Sequence, residues 1–177
     1  MDDVRLSKFL SLVLRHQPEK IGLLLDPSGW AEVDALIAAC QKHQIPLTRD
    51  RLEQIVADND KQRFEFDEAG LRIRASQGHS VPVDLGYARE VPPELLYHGT
   101  AEKFISSIRV QGLLKGKRHH VHLSTDPIMA GKVGSRRGAS VILTVQAGAM
   151  HRAGHEFFIS TNGVWLTERV PAEFLLQ

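Results

Sequence analysis

The spacing of apolar residues changes once along this chain of 177 residues, and the change falls within residues 78–92. Before it, apolar side chains recur at helical spacing, as in residues 6–14. After it, short apolar runs typical of strands dominate. The stretch itself has little periodicity and is bracketed by glycine and proline. We therefore expect an α+β protein with an N-terminal lobe over 1–77, a linker over 78–92 and a C-terminal lobe over 93–177.

The N-terminal lobe has the pattern of a small helical domain that ends in a hairpin. A helix from Leu6 is expected to stop at Pro18, and a turn and short strand follow at residues 26–33. Two more helices are expected, at about 34–43 and after the capping residue Thr48. Three helices followed by a basic hairpin are typical of winged-helix domains, which mostly contact nucleic acid or proteins.

Residues 63–74 alternate apolar and charged side chains around a four-residue turn, which predicts a hairpin with one apolar face. A symmetric register places Glu65 opposite Arg72 and Arg63 opposite Arg74. Two like charges directly opposite each other are destabilising, and a bound anion would relieve that cost. The hairpin therefore suggests a phosphate site.

The end of the first helix adds two further groups that are able to bind an anion. His16 continues the apolar stripe of that helix, and Arg15 precedes it. The sequence therefore indicates one anion site formed by Arg15, His16, Arg63 and Arg74. The alternative for each residue alone is structural, with a histidine packed at a helix end and arginines that only solubilise the hairpin.

The C-terminal lobe is expected to hold a mostly antiparallel sheet and two helices. Tyr97–Thr100 is predicted to end a strand and open a helix, so Gly99 would let a ligand approach the backbone and the helix N-terminus would accept an anion. His122–Ser124 repeats this pattern, although Ser124 is equally well explained as a helix cap. The strands are expected at 95–98, 121–124, 141–145, 157–160 and 164–167, and the helices at 101–110 and 126–133.

Two further segments of this lobe are candidates for a site. Residues 133–138 place Arg136 and Arg137 in a glycine-flanked loop, which is usually a solvated turn. Residues 162–166 form a tight turn into a strand, where Trp165 belongs to the core by default.

Composition and charge exclude several classes of function. A net charge of about +1 does not favour coating a long polyanion, so any nucleic-acid contact is expected to be a local pocket. Cys40 is the only cysteine, which fits a reducing cytoplasm, and no apolar run is long enough to span a membrane. The densest histidine run, residues 119–122, alternates faces on a strand and makes a poor chelate. We expect a cytoplasmic protein without a metal.

Motifs spread in order over nearly the whole chain resemble the RNA 2′-phosphotransferases, NAD-dependent enzymes related to the tRNA-splicing 2′-phosphotransferase. The motifs are LSLVLRH at 10–16, DPSGW at 26–30, DKQRFEF at 60–66, RASQGHS at 74–80, LYHGT at 96–100, HVHLS at 120–124, VGSRRG at 133–138 and NGVWLT at 162–167. One such motif is weak evidence, whereas the ordered set is very specific.

The resemblance implies a winged-helix N-terminal lobe and a C-terminal ADP-ribosyltransferase-like lobe with a split, mostly antiparallel sheet. It also implies a catalytic set around the phosphate, Arg15, His16, Arg63 and Arg136, with Arg137 as the alternative to Arg136 and Arg74 as auxiliary. NAD is expected to contact Tyr97, His98, Gly99, Thr100, His122, Leu123, Ser124, Gly163, Val164 and Trp165. Its adenosine and pyrophosphate are expected over the first two segments, and its nicotinamide ribose near Gly163 and Val164.

The wider superfamily often carries a His-Tyr-Glu triad, whose positions here correspond to His98, His122 and Val164. The missing glutamate usually orients the nicotinamide ribose and helps a weak acceptor attack. A phosphate is already a competent nucleophile and needs no such help. The departure therefore disfavours protein ADP-ribosylation and suits a phosphate acceptor.

The resemblance implies a two-step reaction on RNA that carries an internal 2′-phosphate, and it leaves open the physiological RNA, for which a tRNA-like molecule is one candidate. The 2′-phosphate attacks C1″ of the nicotinamide ribose of NAD and expels nicotinamide, which leaves an ADP-ribosylated RNA 2′-phosphate. The ribose 2″-hydroxyl then attacks the phosphorus and releases 2′-hydroxyl RNA and ADP-ribose 1″,2″-cyclic phosphate. Two alternatives are an ADP-ribosyltransferase that modifies nucleic-acid phosphate ends and a non-enzymatic winged-helix nucleic-acid-binding protein.

Overall fold

The structure is a computed structural model that describes residues 1–176 and, of Arg137, only the backbone. It consists of two compact units, and the division between them falls between Gly86 and Tyr87, inside the stretch expected as a linker. None of the helices formed by the described residues is long and apolar enough to cross a membrane.

The first unit has the predicted order of helix, strand, helix, helix and hairpin. It contains α1 (Asp3–Arg15), β1 (Ala31–Glu32), α2 (Val33–Lys42), α3 (Arg49–Ala57), β2 (Phe64–Phe66) and β3 (Arg72–Ala75). The strands form one antiparallel sheet in the order β1-β3-β2. The side chain of Thr48 accepts the Arg51 N–H and caps α3, as predicted. Leu6, Leu10, Val13 and Leu14 of the apolar stripe of α1 are fully buried in the core of this unit, and Phe9 is partly buried against it.

The register of the β2–β3 hairpin differs from the symmetric one expected from the sequence. Glu65 lies opposite Arg74, not Arg72. Arg63 precedes the paired strands, and its carbonyl accepts the N–H of Ser76 at 2.9 Å. The predicted pairing of Arg63 with Arg74 was therefore wrong, and so was the argument that strain between them calls for an anion.

The turn of the hairpin explains this register. Oδ1 of Asp67 accepts the N–H groups of Leu71 and Arg72 at 2.8 and 3.0 Å. The N–H of Asp67 donates to the carbonyl of Arg72 at 3.0 Å. These bonds pair Asp67 with Arg72 and leave residues 68–71 as the turn. The pairing therefore moves by two residues while each side chain keeps its face.

The second unit is a mixed α/β unit with small antiparallel sheets, which confirms the α+β class. It contains β4 (Leu96–Ala101), α4 (Ile105–Gln111), β5 (Leu113–Leu114), β6 (Val121–Leu123), α5 (Pro127–Gly134), β7 (Ser140–Val145), α6 (Ala147–Arg152), β8 (Phe157–Ile159), β9 (Trp165–Thr167), β10 (Arg169–Val170) and β11 (Leu175–Leu176). The sequence did not predict α6 or the two-residue strands β5, β10 and β11.

Three antiparallel sheets form in this unit, in the orders β11-β7-β4, β6-β9-β8 and β10-β5. Tyr97 and Ser124 exchange both backbone hydrogen bonds, at 2.8 and 2.9 Å, and thereby join β4 to the end of β6. Leu96, Val145 and Met150 are fully buried in the core around these sheets. The junction brings two of the predicted ligand-binding segments together.

Candidate functional site

Helix α1 ends at two of the residues predicted to bind phosphate. His16 is its C-cap, and the N–H of His16 donates to the carbonyl of Leu12. Nδ1 of His16 lies 2.8 Å from Oγ of Ser80. The carbonyl of Arg15 accepts the N–H groups of Ser80 and Val81, at 2.9 and 3.4 Å. One segment of the same unit thus holds both the backbone and the ring at this helix end.

The same segment connects this helix end to Arg63. The Ser76 N–H donates to the carbonyl of Arg63, and the Ser80 N–H to that of Arg15. The chain between the two serines spans at most about 14 Å, which limits the distance between these two backbone bonds. Nη1 of Arg63 lies 3.5 Å from Oδ1 of Asn59. Convergence of these side chains on one anion stays a prediction.

Arg74 has a structural role. It is only 9% exposed, and its Nε donates to Glu65 at 2.6 Å. Its Nη1 donates to the carbonyls of Ser28 and Leu85, at 3.2 and 3.3 Å, and its guanidinium lies 4.5 Å from the centre of the Trp30 ring. A guanidinium with these partners holds the hairpin, the turn at residues 26–29 and the segment ending at Leu85 together.

The motif Tyr97–Thr100 lies within a strand. All six residues of β4 pair with β7, so the strand continues to Ala101, and α4 begins only at Ile105 after a short 3-10 turn. The prediction that this motif opens a helix was wrong, and a helix N-terminus does not supply an anion site there. The pairing with β7 is non-local, which is why the local sequence did not predict it.

Gly99 is required by the packing of β4 against α5. A Cβ at Gly99 would lie 1.6 Å from the carbonyl oxygen of Ala130, and a Cβ at Gly134 would lie 2.7 Å from the carbonyl carbon of Gly99. The missing side chain therefore admits the helix. The approach of a ligand to the backbone of Gly99 stays a prediction.

Two histidines from neighbouring strands meet at the junction of β4 and β6. Nδ1 of His98 lies 2.9 Å from the carbonyl oxygen of His122. Because a carbonyl only accepts, Nδ1 carries the proton, and in the neutral ring Nε2 is an acceptor. Burial lowers the pKa of His98, the bond to the His122 carbonyl opposes this in part, and the charge of Arg118 lowers it further. His98 is therefore neutral at neutral pH.

Arg118 lies beside these candidate residues, and the sequence reasoning did not single it out. Its Nη1 lies 3.2 Å from Nδ1 of His122, and its charge acts on His98. The sequence did contain a signal, because Arg118 belongs to the basic run just before the strand predicted to carry His122. The sequence analysis considered that run only as a possible metal site. Arg136 is exposed in a 3-10 turn, and the side chain of Arg137 lies outside the described part of the chain.

The last predicted segment lies beside the same junction. Leu123, the residue before Ser124, pairs with Trp165, the residue after Val164. Gly163 has a φ of +79°, which suits glycine in the tight turn before β9. Trp165 is 8% exposed and belongs to the core. The structure thus brings Tyr97, His98, His122, Leu123 and Ser124 together, with Trp165 paired to Leu123, and their contacts with NAD stay predictions.

No group of three or more histidine, cysteine or acidic side chains within residues 1–176 is placed to hold a metal ion.

Comparison with known proteins identifies the family. Residues 1–169 match the RNA 2′-phosphotransferase, Tpt1 / KptA family. The chain is 57% identical over 177 residues to a probable RNA 2′-phosphotransferase of Burkholderia lata, which covers 99% of this chain and 91% of the relative. It is 54% identical over 172 residues to one of Trichormus variabilis (97% and 94%), and 54% identical over 178 residues to one of Pseudomonas aeruginosa (100% and 97%). The chain belongs to the RNA 2′-phosphotransferase family, which confirms the resemblance of its motifs.

Proposed function

We propose that this chain removes an internal 2′-phosphate from RNA by transferring it to NAD, with tRNA-like molecules among its substrates. The products are 2′-hydroxyl RNA, nicotinamide and ADP-ribose 1″,2″-cyclic phosphate. The observation that carries the proposal is the match to the RNA 2′-phosphotransferase family over residues 1–169.

The two units support the two lobes that this function calls for. Three helices and an antiparallel hairpin in the first unit suit a winged-helix lobe that binds the RNA phosphate. In the second unit, the sheets β11-β7-β4 and β6-β9-β8, which meet at Tyr97 and Ser124, suit the split sheet of an ADP-ribosyltransferase-like lobe that binds NAD.

The edge of β4 offers groups that fit NAD. The N–H and carbonyl of Tyr97 bond to Ser124, on the side of β4 away from β7. Because these directions alternate along a strand, the N–H and carbonyl of Gly99 face that same side. A backbone donor and acceptor side by side match a primary carboxamide such as that of nicotinamide. Because Nδ1 of His98 donates to the His122 carbonyl, Nε2 is an acceptor, and we assign a ribose hydroxyl of NAD to it. This arrangement favours the nicotinamide end of NAD at Gly99, where the sequence motifs led us to expect adenosine.

The phosphate chemistry is assigned to four cationic or titratable side chains. Arg15, His16 and Arg63 belong to the first unit, and we propose Arg118 as the fourth in preference to Arg136. Arg118 lies beside His122 and acts on His98, whereas Arg136 has only its exposed position in a turn. Guanidinium forks match phosphate oxygens and stabilise the charge that develops on them.

The two steps make different demands on these residues. In the first, an already charged phosphate displaces nicotinamide, so the protein mainly holds both groups in line. In the second, a neutral ribose hydroxyl attacks a phosphodiester, so a proton must move and new charge must be stabilised. His16 is proposed to move that proton, and the arginines to stabilise the charge.

A defined oligonucleotide with a single internal 2′-phosphate tests the function. Incubated with NAD and the protein, it is expected to yield free nicotinamide, an oligonucleotide lighter by one phosphate, and ADP-ribose 1″,2″-cyclic phosphate, all identified by mass. An oligonucleotide that ends the reaction with ADP-ribose attached would instead favour an ADP-ribosyltransferase of nucleic-acid phosphates. Intact NAD and RNA would contradict both and leave a nucleic-acid-binding role.

A further inference from the structure

We propose that Ser80 is a positioning residue for His16. The proposal rests on the proposed function, in which His16 moves a proton in the second step. Oγ of Ser80 and Nδ1 of His16 are 2.8 Å apart, although the two residues are 64 positions apart in the chain. A bond of this length between a hydroxyl and a ring nitrogen fixes the rotation of the imidazole.

The backbone around Ser80 is held in place by the rest of the unit. The Ser80 N–H donates to the carbonyl of Arg15 at 2.9 Å, which ties it to the residue before His16. The preceding residue, His79, is 1% exposed, and the N–H of Asp84 donates to the carbonyl of Pro27 at 2.8 Å. The hydroxyl of Ser80 is therefore a fixed partner for the ring even though Ser80 itself is exposed.

A hydroxyl is suited to a histidine that must take up and return a proton. It carries no charge, and a hydroxyl oxygen is able to accept from Nδ1–H in both the neutral and the protonated ring. In the proposed tautomer Nδ1 keeps its proton toward Ser80, so Nε2 is the nitrogen that exchanges the proton with the substrate. A carboxylate at the same place would stabilise the imidazolium and resist the return of the proton.

His16 alone accounts for the proton transfers of the second step. The proton of the ribose 2″-hydroxyl passes to Nε2 of His16 as the bond from that oxygen to phosphorus forms. The bond from phosphorus to the RNA 2′-oxygen breaks, and the proton returns from Nε2 to that oxygen. Ser80 touches neither substrate in this scheme and acts only through the ring.

Ser80→Ala removes the hydroxyl and keeps the backbone bond to Arg15. We expect the second step to slow about tenfold, the effect of losing one orienting hydrogen bond, with the ADP-ribosylated RNA accumulating. The first step and the Kd for NAD should not change. Ser80→Thr, which restores a hydroxyl, should recover the rate. Ser107→Ala is the matched control, because Oγ of Ser107 bonds to the carbonyl of Phe104 in the other unit.

A double variant and a spectroscopic measurement separate positioning from general stability. Ser80→Ala added to His16→Ala should slow the second step no further, whereas an additive loss would overturn the proposal. Nitrogen-15 NMR of His16 should show Nδ1 protonated in the wild type and a mixture of tautomers in Ser80→Ala, and an unchanged tautomer would also overturn it. A wild-type protein without activity on 2′-phosphorylated RNA would contradict both the proposed function and the positioning role of Ser80. An active wild type together with an unchanged rate of the second step in Ser80→Ala would contradict the positioning role of Ser80 alone.

Discussion

His98 donates from Nδ1 to the carbonyl oxygen of His122 across the point where β4 meets β6, at 2.9 Å. One bond therefore sets both the tautomer of His98 and the spacing of two segments that the sequence singled out separately. It leaves Nε2 as the acceptor of a neutral ring, on which the charge of Arg118 also acts. Because the ring is partly buried and its pKa is lowered, this cluster ties the stability of the second unit to pH.

The lowered pKa of His98 predicts a loss of stability in mild acid. Below its ordinary value of 6.5, the unfolded chain binds a proton at this residue more readily than the folded one. The free energy of unfolding should therefore fall as the pH drops below about 6.5 and stay level, as far as His98 is concerned, above it. Urea unfolding of wild type and His98→Asn at pH 7.5 and 5.5 measures this. Burial also lowers the pKa of His120, which contributes in the same direction. A variant in which both His98 and His120 are replaced should therefore show the smallest change in the free energy of unfolding between the two pH values.

Arg118 and Arg136 are distinguished by a pair of alanine variants. Arg118→Ala should reduce turnover on 2′-phosphorylated RNA on the order of a hundredfold or more, since loss of one charge-stabilising donor typically costs about 3 kcal/mol. Arg136→Ala should stay within about threefold of wild type, because an exposed cation in water contributes little. The reverse ranking in steady-state kcat would return Arg136 to the catalytic set.

Arg15 and His16 should matter more for the second step than for the first. Arg15→Ala and His16→Ala are expected to accumulate the ADP-ribosylated RNA 2′-phosphate, because only the second step needs a proton to move and new charge to be stabilised. Labelled RNA on a denaturing gel shows the intermediate as a slower band. Variants that leave only unreacted RNA would place these residues in substrate binding or the first step.

Gly99→Ala should destabilise the second unit by about 3 kcal/mol or more, because the new methyl meets the backbone of α5 and not a side chain that can move. Gly131→Ala is the matched control in α5. Its Cβ would lie 3.2 Å from the end of the Ile142 side chain, which can rotate, and alanine favours a helix. Thermal unfolding compares the two, and equal melting temperatures would contradict the packing argument.

Arg74→Ala should cost about 3 kcal/mol in the free energy of unfolding, because it leaves Glu65 partly buried without its cation. Arg5→Ala removes a different ion pair, with Asp2, in which both side chains are largely exposed. That control should cost less than about 1 kcal/mol in urea unfolding. A small effect of Arg74→Ala would show that Glu65 is well solvated and that the pair does not brace the unit.

Periodicity predicted the order of the elements because it reports which face of each helix or strand is buried. It did not predict the hairpin register, because a slip of two residues leaves the same faces buried, and only the bonds made by Asp67 distinguish the two registers. The same limit applies to the site. Arg15, His16 and Arg63 stood out locally, whereas the place of Arg118 depends on β6 meeting β4, a contact between distant parts of the chain.

The contact between Gly99 and Gly134 has a consequence for anyone who redesigns this scaffold. Strand and helix touch there through main chain alone, so no side chain exists whose size could be varied to widen or narrow the gap. The distance between β4 and α5 is therefore set by the backbone. A different substrate range has to come from changes in the loops and strand ends near this contact.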